Sequence, residues 1–236
     1  MPTLRPLLSA LPLLDWFALA LYFLTWVGYA QFSKRHAEER GSLLAITNRV
    51  RRQWMLQLTY REMRVLDGAV SQALLSSPSF FASTTILIIG GLLAALGASE
   101  QTSAMVLELP FTVKTSTLVF DLKLALLTGI FVYAFFRFTW SMRQYTFGAL
   151  LVASAPEASQ FTQLGSEARE QFADRAGAVV GMAAEAFNDG LRGYYLAFPV
   201  VGWFFSPWAL MLAAAGVVYV LYQREFRSEV LEKLRT

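Results

Sequence analysis

The chain has 236 residues, of which 56% are hydrophobic and 14% aromatic while only 16% are charged, a composition that argues against an ordinary soluble domain. It has no cysteine and a single histidine, His36, which argues against disulfide frameworks, thiolate or imidazole metal sites and Cys–His or Ser–His–Asp catalysis. The net charge of +3 does not indicate nucleic-acid binding, because the basic residues cluster beside apolar runs, as they do in membrane proteins.

The first two predicted membrane spans are long uncharged runs, at residues 14–33 and 79–98. About 20 helical residues, at 1.5 Å each, cross a hydrocarbon core of ~30 Å. A cleaved signal peptide is the alternative interpretation of the first run. Its length and the position of Lys34 and Arg35 after the run, instead of before it, favour a span.

The third predicted span, residues 116–142, is less uniform because charged residues lie within it. Asp121, Lys123 and Arg137 leave only the stretch between Lys123 and Arg137 without charge. Long basic side chains near the ends of a membrane helix extend to the interface. We therefore expect Lys123 to extend outward and Arg137 inward from a helix that crosses the membrane.

The fourth predicted span, residues 199–222, lies in a longer uncharged run that contains Pro199 and Pro207. Either proline is able to kink or break a helix. One membrane-crossing helix is the simplest interpretation. The alternative is two shorter segments that enter the membrane and return to the same side, which the prolines permit.

Basic residues near the ends of the spans predict the orientation. The connection between the first two spans, residues 34–76, is rich in arginine, whereas residues 99–115 contain only Lys114 as a basic residue. By the positive-inside rule the first connection is cytoplasmic. Four spans would then place the carboxyl-terminal tail outside, although this tail is itself rich in basic residues. The re-entrant alternative removes that conflict.

Two segments have the pattern of amphipathic cytoplasmic helices. In residues 40–76 apolar residues recur every three or four positions with arginines between them, and in residues 157–192 a similar stripe is accompanied by acidic residues. Because a basic and an acidic helix are complementary in charge, we expect the two to pair. Gly177 and Gly181 on the second segment would let the helices approach closely.

Four stretches of the sequence together carry a resemblance to a known family. They are FFASTTILIIGGLLAALG at Phe80 to Gly97, FTWSMRQY at Phe138 to Tyr145, NDGLRGYYLAFP at Asn188 to Pro199, and WFFSPW at Trp203 to Trp208. In this order they resemble domain-of-unknown-function family 599, a group of uncharacterised membrane proteins of bacteria and plants. The resemblance implies a multi-span helical protein without an assigned activity, and it supplies no catalytic or binding residues.

A candidate polar pathway or gate lies at the cytoplasmic mouth of the fourth span. Its members, Glu185, Asn188, Asp189 and Arg192, follow at steps of three, one and three, so side chains of this set share a helix face. Ionisable groups at membrane depth typically bind ions, relay protons or gate a path. The structural alternative is a pair between Arg192 and Asp189 that caps the junction between helices.

A candidate interfacial anchor lies at the inner end of the third span. It consists of Arg137, Trp140 and Arg143, and the spacing of three would place an arginine over the Trp140 indole. Tryptophan and arginine are common at a membrane boundary, which makes anchoring the simplest role for this group.

Polar residues elsewhere also have two interpretations. Arg49, Arg51 and Arg52 are candidates for contact with anionic lipid headgroups, and the alternative is that these arginines are solvated on a helix packed against its neighbours. Within the second span, Thr85 and the hydroxyls beside it would line a polar path or bond to another helix, with close packing as the simpler interpretation.

These features predict an all-α integral protein of the bacterial cytoplasmic (inner) membrane, with one membrane domain, four principal transmembrane helices and two amphipathic cytoplasmic helices. No phosphate-binding loop, dinucleotide fingerprint or zinc-protease motif is present, so we expect a non-enzymatic protein without cofactor or metal. Four short spans enclose little volume, which favours a homo-oligomeric channel or transporter-like assembly. The alternative is an accessory or scaffold subunit of a larger membrane protein complex, and an enzyme acting on lipid would need a carboxylate pocket at headgroup level.

Overall fold

The computed structural model describes residues 11–36, 41–107 and 116–235 of the chain. Within these ranges the protein is helical, with connecting turns and no β-strand, which confirms the predicted all-α class for this part of the chain. In chain order the helices are α1 (Leu13–His36), α2 (Leu43–Leu58), α3 (Val65–Gly97), α4 (Ser99–Leu107), α5 (Thr117–Ala153), α6 (Ala158–Leu164), α7 (Ser166–Trp203), α8 (Pro207–Phe226) and α9 (Glu229–Arg235).

Three of these helices, α1, α3 and α5, are long and apolar enough to cross a membrane. They have 24, 33 and 37 residues, so at about 1.5 Å per residue each exceeds the ~30 Å hydrocarbon core. They match the predicted spans 14–33, 79–98 and 116–142. However, α3 begins earlier and α5 ends later than predicted, because the local sequence continues to favour a helix beyond the apolar run.

The fourth predicted span, residues 199–222, is not one helix. Helix α7 continues through Pro199, a turn follows, and α8 begins at Pro207. The Ser206 hydroxyl accepts a hydrogen bond from the Ala209 N–H at 3.0 Å, as an N-cap residue does. Proline suits the first helical position because its missing N–H would have no partner there. The break therefore lies at the second proline and not at the first.

Both predicted cytoplasmic helical segments are also divided. Residues 40–76 contain α2 and the beginning of α3, separated by a turn that starts at Thr59, the residue that caps α2. Residues 157–192 contain α6 and most of α7, separated by Gly165 at a φ of +88°. Glycine adopts positive φ at little cost, which allows the chain to end α6 here. The apolar period runs across both breaks, so the sequence predicts longer helices than the structure has.

The chain forms two compact units. Unit 1 takes the residues up to Arg35, Thr85–Ala134 and Leu191–Arg224, and unit 2 takes His36–Thr84, Phe135–Gly190 and the residues from Glu225. The largest fully buried side chains of the unit 1 core are Tyr22, Leu196, Val200, Trp203 and Leu210. Those of the unit 2 core include Met55, Leu58 and Phe161.

In unit 1, α8 returns alongside the end of α7. Gly202 faces the Ala209 backbone so closely that a Cβ on the glycine would lie 3.4 Å from the Ala209 carbonyl carbon. Nearer the far end of α8, Arg224 donates a hydrogen bond to the Tyr195 hydroxyl at 2.5 Å. The last part of α7 and α8 therefore form an antiparallel helical hairpin.

In unit 2, α2 packs on α7 at two glycines. A Cβ on Gly177 would lie 2.9 Å from the Arg52 Cα, and a Cβ on Gly181 would lie 3.2 Å from a side-chain oxygen of α2. Arg52 forms ion pairs with Glu170 and Asp174 of α7. The predicted pairing of the basic and acidic segments is therefore confirmed, as is close approach at the glycines. The carboxyl-terminal helix α9 also contacts α2.

Candidate functional site

The predicted gate residue Asp189 lies in unit 2, where it pairs with Arg137 of α5. The Arg137 Nη2 and the Asp189 Oδ2 are 2.5 Å apart, and the two side chains are 29% and 9% exposed. Shielding from water strengthens the attraction between such charges but requires both to give up their hydration. The Arg137 Nε is buried without a hydrogen-bond partner in the part of the chain that the structure describes. This ion pair is therefore incompletely satisfied.

Close packing between α5 and α7 holds the ion pair in place. Gly190, next to Asp189, faces the Phe138 ring so closely that a Cβ on the glycine would lie 2.5 Å from a ring carbon. The Ser141 hydroxyl donates a hydrogen bond to the Ala183 carbonyl at 2.7 Å. Because both contacts fix the register of the two helices, they also fix the distance between the guanidinium and the carboxylate.

The other charged member of the predicted gate, Arg192, lies in unit 1 and is 8% exposed. Its Nη2 donates a hydrogen bond to the Ser33 hydroxyl at 2.9 Å, and its guanidinium lies 5.7 Å from the centre of the Tyr29 ring. Both contacts join α7 to α1. The alternative pair between Arg192 and Asp189 stays a prediction.

The remaining gate candidates, Glu185 and Asn188, are partly buried on α7. Within one turn of this helix the chain thus carries a buried carboxylate and a buried guanidinium, Asp189 and Arg192. Such groups exchange hydrogen-bond partners with an ion, a proton or water when a path opens beside them. The described residues contain no group of three or more His, Cys, Asp or Glu placed to hold a metal ion.

The predicted interfacial anchor consists of one inward-facing residue and two exposed ones. Trp140 is 46% exposed and Arg143 is also exposed. Arg137 pairs with Asp189, so of the two arginines spaced three from Trp140 it is Arg143 whose contact with the indole stays a prediction. An opposite charge shielded from water attracts a guanidinium more strongly than an exposed ring face does. Contact of Trp140 and Arg143 with the membrane interface stays a prediction.

The three candidate headgroup arginines of α2 differ in their surroundings. Arg49 is exposed. Arg51 donates hydrogen bonds to two polar side chains of its own helix, at 3.0 and 2.8 Å, and burial lowers its pKa. Arg52 is paired with α7, and its hydrogen bonds to Asp174 and Glu170 raise its pKa. Arg49 is therefore the member with most surface to offer a headgroup, and the contact itself stays a prediction.

A buried polar cluster at the end of α7 in unit 1 is not evident from the sequence pattern. The Trp203 indole N–H donates to the Asp15 carboxylate at 2.5 Å, and the Lys123 ammonium donates to the Trp203 carbonyl at 2.9 Å. Asp15, Lys123 and Trp203 are 8%, 3% and 1% exposed. The expectation that Lys123 extends outward is wrong, because a carbonyl at the end of a helix has no partner in its own helix and the lysine supplies one.

The charges at the edges of the apolar runs are the only signal that could have pointed to this cluster. Nothing local in the sequence shows which helix end Asp15 or Lys123 meets. Thr85 is a simpler case: it is fully buried, and its hydroxyl is 2.7 Å from the Tyr194 hydroxyl of α7. This contact confirms the interpretation that a hydroxyl of the second span bonds to another helix.

Comparison with known proteins identifies the family of the chain. The family described as "Protein of unknown function, DUF599" matches residues 17–230, so the chain belongs to it, and the resemblance carried by the four sequence stretches is confirmed. No curated protein matches the chain, and no solved structure does.

Proposed function

We propose that this member of the DUF599 family is a non-enzymatic protein of the bacterial cytoplasmic (inner) membrane that assembles from several copies and moves an unidentified solute as a channel or transporter. The observation that carries this proposal is the pair of buried charged side chains on α7. Asp189 is held by Arg137 of α5, and Arg192 is held by Ser33 of α1. Charged groups buried in helical membrane proteins are costly and typically belong to ion or proton pathways.

Copies of the chain would meet along α3. Only 11% of the most apolar stretch of α3 is buried, compared with 22% for α1 and 50% for α5. Ile86 and Leu87 are 54% and 76% exposed, and a Cβ on Gly90 or Gly91 would have nothing within 4 Å. A helix so little covered by its own chain faces lipid or another subunit, and small residues let a second helix approach closely.

In the proposed topology α1, α3 and α5 cross the membrane, while the α7–α8 hairpin enters and returns in place of a fourth single crossing. The hairpin contact between Gly202 and Ala209 supports this arrangement. The contact of α9 with α2 supports placing the tail beside the arginine-rich connection, residues 34–76, in the cytoplasm. Arg224 and Arg227 then obey the positive-inside rule. Exposed arginines such as Arg49 would contact anionic headgroups of the bilayer.

Reconstitution tests the transport function. In detergent, the purified protein should have a mass that is a defined multiple of 26.4 kDa. In vesicles of phosphatidylethanolamine and phosphatidylglycerol, flux of H⁺, K⁺ and Cl⁻ would be followed with fluorescent reporters under an imposed gradient. We expect Asp189→Asn to retain the oligomer and to change the flux of the conducted ion several-fold.

The control variant is Glu167→Gln, which changes an exposed carboxylate at the start of α7 and should leave both the mass and the flux unchanged. A correctly assembled oligomer that passes none of the three ions would count against a channel for small ions. Equal flux through wild type and Asp189→Asn would remove Asp189 from the pathway.

The second candidate function is an accessory or scaffold subunit of a larger membrane complex. It is supported by the partners of Asp15 and Lys123, since these buried charges bind the end of α7. This function predicts a monomer when the chain is expressed alone and a larger particle with other polypeptides when it is isolated from its native membrane. Measuring the particle mass of the chain expressed alone and of the particle isolated from its native membrane distinguishes the two functions.

A further inference from the structure

We propose that a cavity in unit 2 binds an anionic amphiphile, that is, an apolar chain with an acidic head such as a phospholipid or a fatty acid has. The cavity lies between the start of α3 and the end of α5 and has a volume of about 440 Å³. Ligand sites in proteins typically measure about 300–1,000 Å³. This inference does not depend on the transport function, because it concerns other residues and is tested by binding.

Part of the cavity lining is apolar. Leu75 of α3 and three small or medium apolar residues of α5, Ala149, Val152 and Ala153, line it. Gly68 also lines it, and a Cβ on this glycine would have nothing within 4 Å. An apolar wall next to an open glycine offers room and a water-excluding surface for a hydrocarbon chain.

The rest of the lining is polar and includes one positively charged residue. Arg64 lines the cavity just before α3 begins. Its two Nη groups donate hydrogen bonds to the carbonyls of Ala155, at 2.7 Å, and Pro156. These partners are neutral, so they position the guanidinium without compensating its charge. The Arg64 Nε is buried and has no hydrogen-bond partner within the described ranges.

Further hydrogen-bonding groups line the same cavity. Tyr145 is only 7% exposed, yet its hydroxyl makes no hydrogen bond to the residues that the structure describes. Ser71 and Gln72 lie on the facing helix. Within the described ranges the Arg64 guanidinium has only neutral partners, and the Tyr145 hydroxyl makes no hydrogen bond. Both groups are therefore suited to donate hydrogen bonds to an acidic head group.

The nearest acidic residue on α3 does not oppose this binding. Asp67 accepts hydrogen bonds from Arg61, at 2.6 Å, and from the Trp54 indole, at 2.7 Å. Arg61 therefore compensates the charge of Asp67 at Oδ1, while the Asp67 Oδ2 has no hydrogen-bond partner within the described ranges, and the positive charge of Arg64 is left for a ligand. Apolar walls, available volume and unbalanced charge together select a molecule with one acidic end and one hydrocarbon end.

Native mass spectrometry of the full chain in detergent tests the proposal. The probes are phosphatidylglycerol and oleate, which are acidic, and phosphatidylcholine, whose head group is neutral overall. We expect wild type to retain at least one of the two acidic probes and to retain it in preference to phosphatidylcholine. Which acidic probe is retained then distinguishes a membrane phospholipid from a free fatty acid.

Three variants locate the binding. Gly68→Leu fills the cavity and should abolish retention, whereas the matched control Gly216→Leu, at another helical glycine with nothing within 4 Å, should bind as wild type does. Arg64→Gln should lower retention of the acidic probe about tenfold or more, and Tyr145→Phe about threefold, as expected for losing a charged and a neutral hydrogen bond. If Arg64→Gln does not fold, Gly68→Leu and Tyr145→Phe still decide the question.

Two results would overturn the proposal. The first is that wild type retains neither acidic probe above the level of phosphatidylcholine. The second is that Gly68→Leu retains the acidic probe as well as Gly216→Leu does, because binding would then lie outside the cavity.

Discussion

The buried carboxylates Asp15 of unit 1 and Asp189 of unit 2 have partners of different kinds. In unit 1, Asp15 and Lys123 bind the indole N–H and the carbonyl of one residue, Trp203. In unit 2, Asp189 binds Arg137. Asp15 accepts a hydrogen bond from a neutral dipole and has the opposite charge of Lys123 near it, whereas Asp189 pairs directly with a guanidinium, and this ion pair couples the positions of two helices.

This difference separates two roles for buried charge in one helical chain. The unit 1 cluster satisfies groups at the end of α7, so it acts in the stability of the α7–α8 hairpin. The Arg137–Asp189 pair of unit 2 joins α5 to α7 and retains an unpartnered Nε among the described residues. An incompletely satisfied pair is easier to rearrange than a capped helix end, and this is why we place the functional change at Asp189.

The largest loss of stability is expected from Trp203→Ala, because this change removes the indole N–H that Asp15 binds and a side chain that is 1% exposed, although the main-chain carbonyl that Lys123 binds remains. Truncating a buried tryptophan costs about 3–5 kcal/mol of stability. Thermal unfolding in detergent, followed by circular dichroism, measures it. The control is Trp208→Ala, at a residue that is 62% exposed and whose loss should be small. Equal destabilisation by the two changes would show that Trp203 does not organise the cluster.

A smaller loss of stability is expected when either of the two carboxylates, Asp189 or Asp15, is replaced by an amide. Asp189→Asn removes the negative charge beside Arg137 and should cost about 1–3 kcal/mol, since a partly buried guanidinium then lacks its counter-charge. Asp15→Asn keeps an oxygen that accepts the Trp203 N–H, so it should cost about 1 kcal/mol or less. The stability costs of the two substitutions would be measured from unfolding curves recorded at low and at high salt.

The salt dependence sharpens this comparison. Salt screens charges that are shielded from water only weakly, so the cost of Asp189→Asn should decrease slightly as salt is added, while the cost of Asp15→Asn should change less. A salt-sensitive Asp15→Asn effect would mean that this carboxylate acts through its charge and that the contrast between the units is wrong.

The smallest effect is expected at the exposed ion pairs of Arg52 with Glu170 and Asp174. Exposed pairs contribute little and are screened by salt. Arg52→Gln should therefore change the unfolding temperature slightly at low salt and not measurably at high salt. In contrast, Gly177→Leu, next to the Arg52 backbone, should separate α2 from α7 at any salt concentration. A strong Arg52→Gln effect at high salt would show that charge, not close packing, holds these helices together.

The sequence predicts the apolar helices well because the length of an uncharged run directly measures its ability to cross a bilayer. It predicts the pairing of α2 with α7 because the first segment is basic, and the second is acidic and carries glycines that allow close approach. The breaks at Thr59 and Gly165 are missed, since the apolar period continues across both of them, whereas the break before Pro207 matches the alternative of two shorter segments. Helix ends depend on local caps, which periodicity does not record.

The partners of the charged residues are the part of the site that the sequence does not reveal. Lys123 looks like a residue that extends to the interface, and Arg137 looks like part of an anchor with Trp140. The structure buries Lys123 against Trp203 and turns Arg137 to Asp189. The partners of Lys123 and Arg137 depend on which helices pack against each other. The residue pattern of one helix does not show which helix packs against it. The cavity beside Arg64 is formed in the same way, by the approach of α3 to α5.

The most direct test of the account is the side of the membrane on which its segments lie. The chain has no cysteine, so the single substitutions Gln53→Cys in α2, Gln101→Cys in α4 and Glu232→Cys in α9 are labelled without background, and all three positions are exposed. A membrane-impermeant maleimide should label Gln101→Cys in intact cells and the other two variants only after permeabilisation. Labelling of Glu232→Cys together with Gln101→Cys in intact cells, with Gln53→Cys protected, would contradict the returning hairpin and the cytoplasmic tail.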